Sequence, residues 1–222
     1  DTYGFPMELT QEIAAERKIA INLEEFNDAM ALQRERGKAD LSLKGNSTIT
    51  DSVLQKAVEN LPATSFKGYT EHETTSKVLY QDNDFVVLDK TPFYAEAGGQ
   101  VGDTGTITNE NGTIVIGNTT AIPSGHYLHT IEQINGAIKT GDVVTAMIDS
   151  KRRLEIQRHH TGTHLLHWAL RTVLGDHVKQ QGSWVGPERL RFDFSHFASL
   201  TKEEIEQIED LVNKEVFSGS SV

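Results

Sequence analysis

The chain has no cysteine in its 222 residues. That excludes disulfide bridges and any thiolate metal site built from this chain alone, and it is neutral to mildly favourable for a cytosolic origin. Nor is there a run of about 20 apolar residues, or a charged-then-apolar start, so no membrane span or signal peptide is indicated. Gly-x-Gly-x-x-Gly and Gly-Lys-Ser/Thr are both absent, which leaves the two common nucleotide fingerprints unmet. There is no internal repeat and no low-complexity tract. Positive charge is scarce: 21 Lys and Arg face 32 Asp and Glu, for a net charge of −11. On average that argues against a nucleic-acid partner. The average hides an asymmetry, because residues 151–195 hold eight basic side chains against four acidic ones, leaving 13 against 28 elsewhere. A basic segment in an acidic chain either meets an anion or is a solvated helix face.

The length allows one large or two small domains, and two is the working expectation. Residues 1–62 read as helical. Thr10 caps "QEIAAERK"; Asn22 and Glu25 form a capping box ahead of "LEEFNDAMALQRER", which Gly37 closes; Asp51 opens "SVLQKAVENL", which stops at Pro62. Between the last two, "GKADLSLKGNST" is a polar connection. From 63 to 149 the apolar period falls to two, in "KVLYQ", "FVVLDK", "GTITN", "GTIVIGN", "HYLHTI" and "DVVTAMID", with a hairpin signal at Asp82–Asp84. Short strands at this spacing predict a small β-barrel or sandwich. Residues 150–222 follow as a long helix to about 174, a half-buried strand in "RLRFDF" and a final helix capped by Thr201. The predicted class is α+β. Asp1 in place of Met, and an end with no closing element, lead us to expect a piece of a longer chain.

Four of the nine histidines fall in "HHTGTHLLHW", residues 159–168. At about 100° per residue His160, His164, His167 and Arg171 share an arc of roughly 60°. Leu165, Leu166, Ala169, Leu170, Val173 and Leu174 take the opposite, core-facing side. His160 and His164, at i and i+4, can share one tetrahedral Zn2+. Thr161 stands where the zinc-protease pattern needs its glutamate, so that chemistry is excluded. Two imidazoles are also short of the three or four ligands that a zinc site needs. His167, one turn on, is better read as a substrate-facing group. The second cluster is "FYAEAGGQVGDTG", residues 93–105. It reads either as a wide turn between strands or as a flexible backbone that brings Tyr94, Glu96 and Gln100 close to a ligand.

Taken in order, "DTYGFPMELT", "FYAEAGGQVGDTG" and "RHHTGTHLLHWALRTVLGDHVKQQGSWVGPERLRFDFSHF" resemble the alanyl-tRNA synthetase family over essentially the whole chain. Free-standing editing relatives lack the first motif, and threonyl-tRNA synthetase lacks the glycine-rich one. The resemblance implies a cytoplasmic, bacterial-type enzyme that joins alanine to tRNA(Ala) with ATP and Mg2+ and hydrolyses seryl- and glycyl-tRNA(Ala). It divides the chain into tRNA-recognition helices (1–62), barrel (63–149) and the first half of an editing domain (150–222). By the same resemblance His160 and His164 are two of four zinc ligands, the others being a Cys and a His beyond position 222. Thr163 and Gln180 match editing-pocket positions. His167, Arg152, Arg153, Arg158, Lys179, Gly98, Gly99 and Gln100 are expected to meet substrate or RNA. The alternatives are a free-standing editing hydrolase and a non-catalytic RNA-binding module whose histidines touch phosphate without a metal.

Overall fold

The structure, a computed structural model, describes residues 56–219. The two helices predicted before residue 51 lie outside the described residues. Of the third, residues 56–58 are helical, and Leu61 N–H donates to Val58 O (2.9 Å) as the chain turns toward Pro62.

Ten strands and two longer helices follow: β1 (Ser65–Phe66), β2 (Glu73–Gln81), β3 (Phe85–Leu88), β4 (Lys90–Thr91), β5 (Gly105–Asn109), β6 (Gly112–Ala121), β7 (Tyr127–Gly136), β8 (Val143–Ile148), α1 (Ser150–Leu174), β9 (Gln180–Val185), β10 (Leu190–Phe194) and α2 (Lys202–Ser218). Six of the strands close into an antiparallel barrel in the order β2-β3-β7-β6-β5-β8, with β8 pairing back to β2. The barrel and the α+β class agree with the sequence reading. Asp82 makes the predicted hairpin: its carboxylate accepts from Asp84 N–H (2.8 Å) and Phe85 N–H (2.7 Å), so the turn's donors are satisfied locally.

Several strands run longer than the apolar alternation showed. In β2 the inward positions include Thr74 and Ser76, both buried, so the strand starts four residues before "KVLYQ". Ser76 Oγ is satisfied by Lys90 O at 2.7 Å, which lets a polar side chain occupy a core-facing position. Val78, Leu88, Ile107, Ile114, Ile116 and Ala146 form the centre of the barrel core, each 1% exposed or less.

His129 is fully buried in the barrel. Its Nδ1–H donates to Val86 O (2.9 Å), so Nε2 accepts from the Thr91 hydroxyl (2.7 Å). Burial pushes its pKa down to about 4, against a smaller upward pull from the Val86 carbonyl. The folded pKa lies below the unfolded one, so between about pH 6.5 and 4 the unfolded chain binds the extra proton and stability falls as pH falls. The loss is about 3 kcal/mol across that window. Urea unfolding at pH 7 and pH 4.5 checks it. The stability advantage of the wild type over His129→Gln should shrink on acidification; an advantage independent of pH would contradict the assignment.

The second core lies between α1, the β9–β10 hairpin and α2. Leu166, Ala169, Leu170, Val173 and Leu174 of α1 pack there with Val178, Phe192, Phe194 and Ile208. The predicted apolar face of α1 is thus the buried one, apart from Leu165, which is half-buried outside this cluster. Asp149 caps α1 by accepting Arg152 N–H (3.0 Å), and Gly175, at φ 111°, ends it. Thr201 and Glu204 form the capping box expected at α2.

Candidate functional site

The histidine face of α1 opens onto a pocket of about 90 Å³, bordered by His160, Thr163, His164 and His167 from the helix, Gln180, Ser183 and Val185 from β9, Phe192 from β10 and Gly98 from the glycine-rich loop. A wider groove of about 410 Å³ adjoins it at His164 and His167 and continues along Trp168, Arg171, Thr172 and Asp176. The two expected metal ligands are exposed side by side, with ring centroids 5.1 Å apart and planes inclined at 30°. His160 Nδ1 lies 2.6 Å from Gln100 Oε1. His167 packs against Phe192 (5.1 Å between centroids), and its Nε2 is buried without a hydrogen-bond partner among the described residues. The fourth histidine of the cluster, His159, is an anchor: its Nδ1 meets Gly186 O at 2.7 Å and ties α1 to the β9–β10 turn.

Thr163 is 8% exposed and its hydroxyl donates to His159 O (2.8 Å), the carbonyl one turn back. With its proton committed there, the oxygen keeps acceptor capacity only. Gln180 is exposed at the start of β9, and its Nε2 donates to Ser183 Oγ (3.1 Å), leaving the amide oxygen free. Ser183 in turn donates to Gly98 O (3.4 Å).

The glycine-rich loop is clamped to β9. Val185 N–H donates to Gly99 O (2.8 Å) and Val101 N–H to Val185 O (3.0 Å), while Ala97 and Gln100 exchange backbone hydrogen bonds of 3.2 and 2.9 Å. Gly99 has φ +84°, and a Cβ there would lie 2.4 Å from Ser183 O, so only glycine permits the clamp. The loop is thus not a free turn between strands. Gly98 borders the pocket, whereas the Gly99 carbonyl and the Gln100 carboxamide oxygen are engaged with the protein itself.

One expectation is corrected outright. Arg153 was expected at the RNA surface, but it is 5% exposed and ion-paired with Asp103, itself 1% exposed. Its Nε donates to both Asp103 oxygens (3.0 and 2.9 Å), Nη1 to Gly68 O (2.8 Å) and Nη2 to Pro92 O (3.0 Å), and Nη2 also contacts Asp103 Oδ2. Every arm of the guanidinium is used inside the protein. Arg152 is half-buried and gives Nη1 to Gly102 O (2.8 Å). Arg158 and Lys179 are exposed. Sequence reasoning missed Asp103, Ser183 and Phe192. The alternation in "RLRFDF" was a signal for Phe192, but Asp103 and Ser183 gave none, because their partners are distant in sequence.

The zinc expectation can be set against these positions. Two exposed imidazoles at i and i+4, one of them turned by a hydrogen bond at its far nitrogen, suit two corners of a tetrahedral site. Among the described residues no group of three or more His, Cys, Asp or Glu could complete it. The next two histidines along, His177 and His196, meet each other instead, Nε2 to Nδ1 at 2.9 Å.

The family model described as tRNA synthetases class II (A) matches residues 1–152. The chain belongs to the class II (A) tRNA synthetases. Within that family it is similar to the alanine–tRNA ligases of Acetivibrio thermocellus (44% identity over 234 residues, 100% of this chain), Herpetosiphon aurantiacus (42%, 100%) and Dehalococcoides mccartyi (41%, 97%). The chain spans about 26% of the length of each of these relatives. The family match stops at the start of α1, so the pocket at His160 and His164 is covered by the relatives and not by the family model.

Proposed function

We propose that this chain carries the amino-acid editing site of an alanine–tRNA ligase, an enzyme that joins alanine to tRNA(Ala) with ATP and also hydrolyses seryl- and glycyl-tRNA(Ala) formed in error. The observation that carries the reading is the meeting of His160, Thr163, His164 and Gln180 around one small pocket, in a chain similar over its whole length to alanine–tRNA ligases. A pocket shaped for alanine rejects serine weakly, since an added hydroxyl changes little in size, so a second site must remove the error. A pocket of about 90 Å³ suits an aminoacyl group of that size.

The residues divide the work by their hydrogen-bonding capacity. Thr163 Oγ1, whose own proton goes to His159 O, can only accept, and so it suits the donating hydroxyl of a seryl group. The free amide oxygen of Gln180 can accept a hydrogen bond from, and so orient, a water molecule approaching the ester. His160 and His164 are the residues that would hold Zn2+, together with ligands from outside the described residues. When bound, such an ion supplies Lewis acidity, a more acidic water or a grip on the substrate. Arg158 and Lys179 offer exposed positive charge to the tRNA backbone.

The direct test is hydrolysis of seryl-tRNA(Ala) by an alanine–tRNA ligase that carries this chain. Seryl-tRNA(Ala) should be cleared while alanyl-tRNA(Ala) persists. Equal lifetimes of the two in the presence of the enzyme would sink the editing reading.

A further inference from the structure

Gln100 belongs to the barrel's glycine-rich loop, yet its side chain ends at the histidine helix 60 residues later, with Oε1 2.6 Å from His160 Nδ1. The side chain is not a mobile arm. Gln100 is 7% exposed, its backbone exchanges two hydrogen bonds with Ala97 and bridges to Val185, and the bonds on either side of it, Val185 N–H to Gly99 O and Val101 N–H to Val185 O, pin the loop to β9. Gly99 makes that approach possible and fixes how close it is, because no Cβ fits there. The loop and the floor of the pocket are one hydrogen-bonded piece, and the amide oxygen is delivered to a set position.

We propose that Gln100 is a positioning residue for the site: it holds the His160 ring in one orientation and in one tautomer, with the proton on Nδ1 and Nε2 bare. An amide oxygen accepts and cannot donate, so the hydrogen between the two atoms belongs to the imidazole. A neutral imidazole protonated at Nδ1 presents an unprotonated Nε2, the form needed to ligate a metal ion. His164, its ring centroid 5.1 Å away, has no such partner among the described residues, which makes His160 the preset member of the pair. The inference rests on the editing reading for its purpose, but the tautomer is a property of this chain alone.

The test reads the tautomer first and without metal. The whole chain is labelled with 15N-histidine, freed of metal with a chelator and examined at pH 8.5 by long-range proton–nitrogen correlation, with His160 assigned by its loss in His160→Asn. The wild type should show His160 as a single tautomer protonated at Nδ1. Gln100→Glu, which keeps the acceptor, should preserve that pattern, and Gln100→Leu, of similar shape without the acceptor, should lose it while the backbone amide spectrum stays folded. In the intact ligase that carries this chain and supplies the remaining ligands, titration with Zn2+ should then show binding weakened by about 10–100-fold in Gln100→Leu and recovered in Gln100→Glu. Protonation at Nε2 in the wild type, or an unchanged pattern in Gln100→Leu, overturns the proposal. If the tautomer behaves as stated but mischarged tRNA is not hydrolysed by the intact enzyme, the positioning role stands and the editing reading is the part that fails.

Discussion

In an alanine–tRNA ligase that carries this chain, His164→Ala should leave alanine activation by ATP nearly intact while seryl-tRNA(Ala) accumulates. The reasoning starts from placement. His164 is an exposed residue on the polar face of α1, outside the core that Leu166, Ala169 and Leu170 form on the other side, so its truncation opens no buried cavity and the fold persists. It borders both the small pocket and the adjoining groove, so any aminoacyl ester held there meets it. Loss of an outer hydrogen-bond partner of a metal ligand typically costs 10–100-fold in activity, and loss of a ligand should cost at least the upper end, about 100-fold in deacylation rate. On the editing reading, alanine activation is the work of a different site of the whole ligase, so it does not depend on His164. The measurement pairs alanine-dependent pyrophosphate exchange with the decay of preformed seryl-tRNA(Ala). A parallel drop in both would put the histidines in the activation site, and the editing assignment would have to be withdrawn.

The second large effect is on stability. Asp103→Ala should destabilise the chain by about 3–5 kcal/mol, because it leaves the Arg153 guanidinium buried without its counter-charge. It also strands Tyr94 N–H, which donates to Asp103 Oδ2 at 2.8 Å. Arg153→Ala should cost a similar amount for the mirror-image reason, with Gly68 O and Pro92 O losing a donor as well. For a chain of this size that corresponds to a fall in Tm of roughly 6–20 °C. The double replacement Asp103→Leu with Arg153→Met should recover part of the loss, since an apolar pair of similar volume carries no unpaired charge. Thermal unfolding followed by circular dichroism decides the matter. Single variants within about 1 kcal/mol of the wild type would mean that water reaches the pair and that its burial is only apparent.

How much of this was legible in the sequence depends on whether a residue's partner is close to it along the chain. The face of α1, the Asp82 hairpin, the Thr201 capping box and the alternation of β10 depend on neighbours within a few residues, and the spacing alone places them. β2 extends beyond its apolar alternation because Thr74 and Ser76 are buried through hydrogen bonds that a hydropathy pattern does not register. The inward turn of Arg153 has no local signal, because its acid partner is 50 residues away and four basic residues on an early helical stretch look alike in sequence. The pair His160–His164 was visible by its period. The roles of His159 and Gln100 were not, since each is defined by one long-range hydrogen bond, to Gly186 O and to His160 Nδ1.

The clamp between the glycine-rich loop and β9 also bears on how such a protein can change over time. A six-stranded barrel with its own core looks like a cassette that recombination could exchange whole. Here the cassette would carry away the loop whose backbone completes the edge of β9 and whose glutamine meets the helix, and the incoming barrel would have to present the same two glycines at the same height. The boundary at residue 149 is therefore a poor crossover point despite falling between two cores. The barrel loop, β9 and α1 depend on one another through these contacts, so an exchange that keeps function has to carry all three.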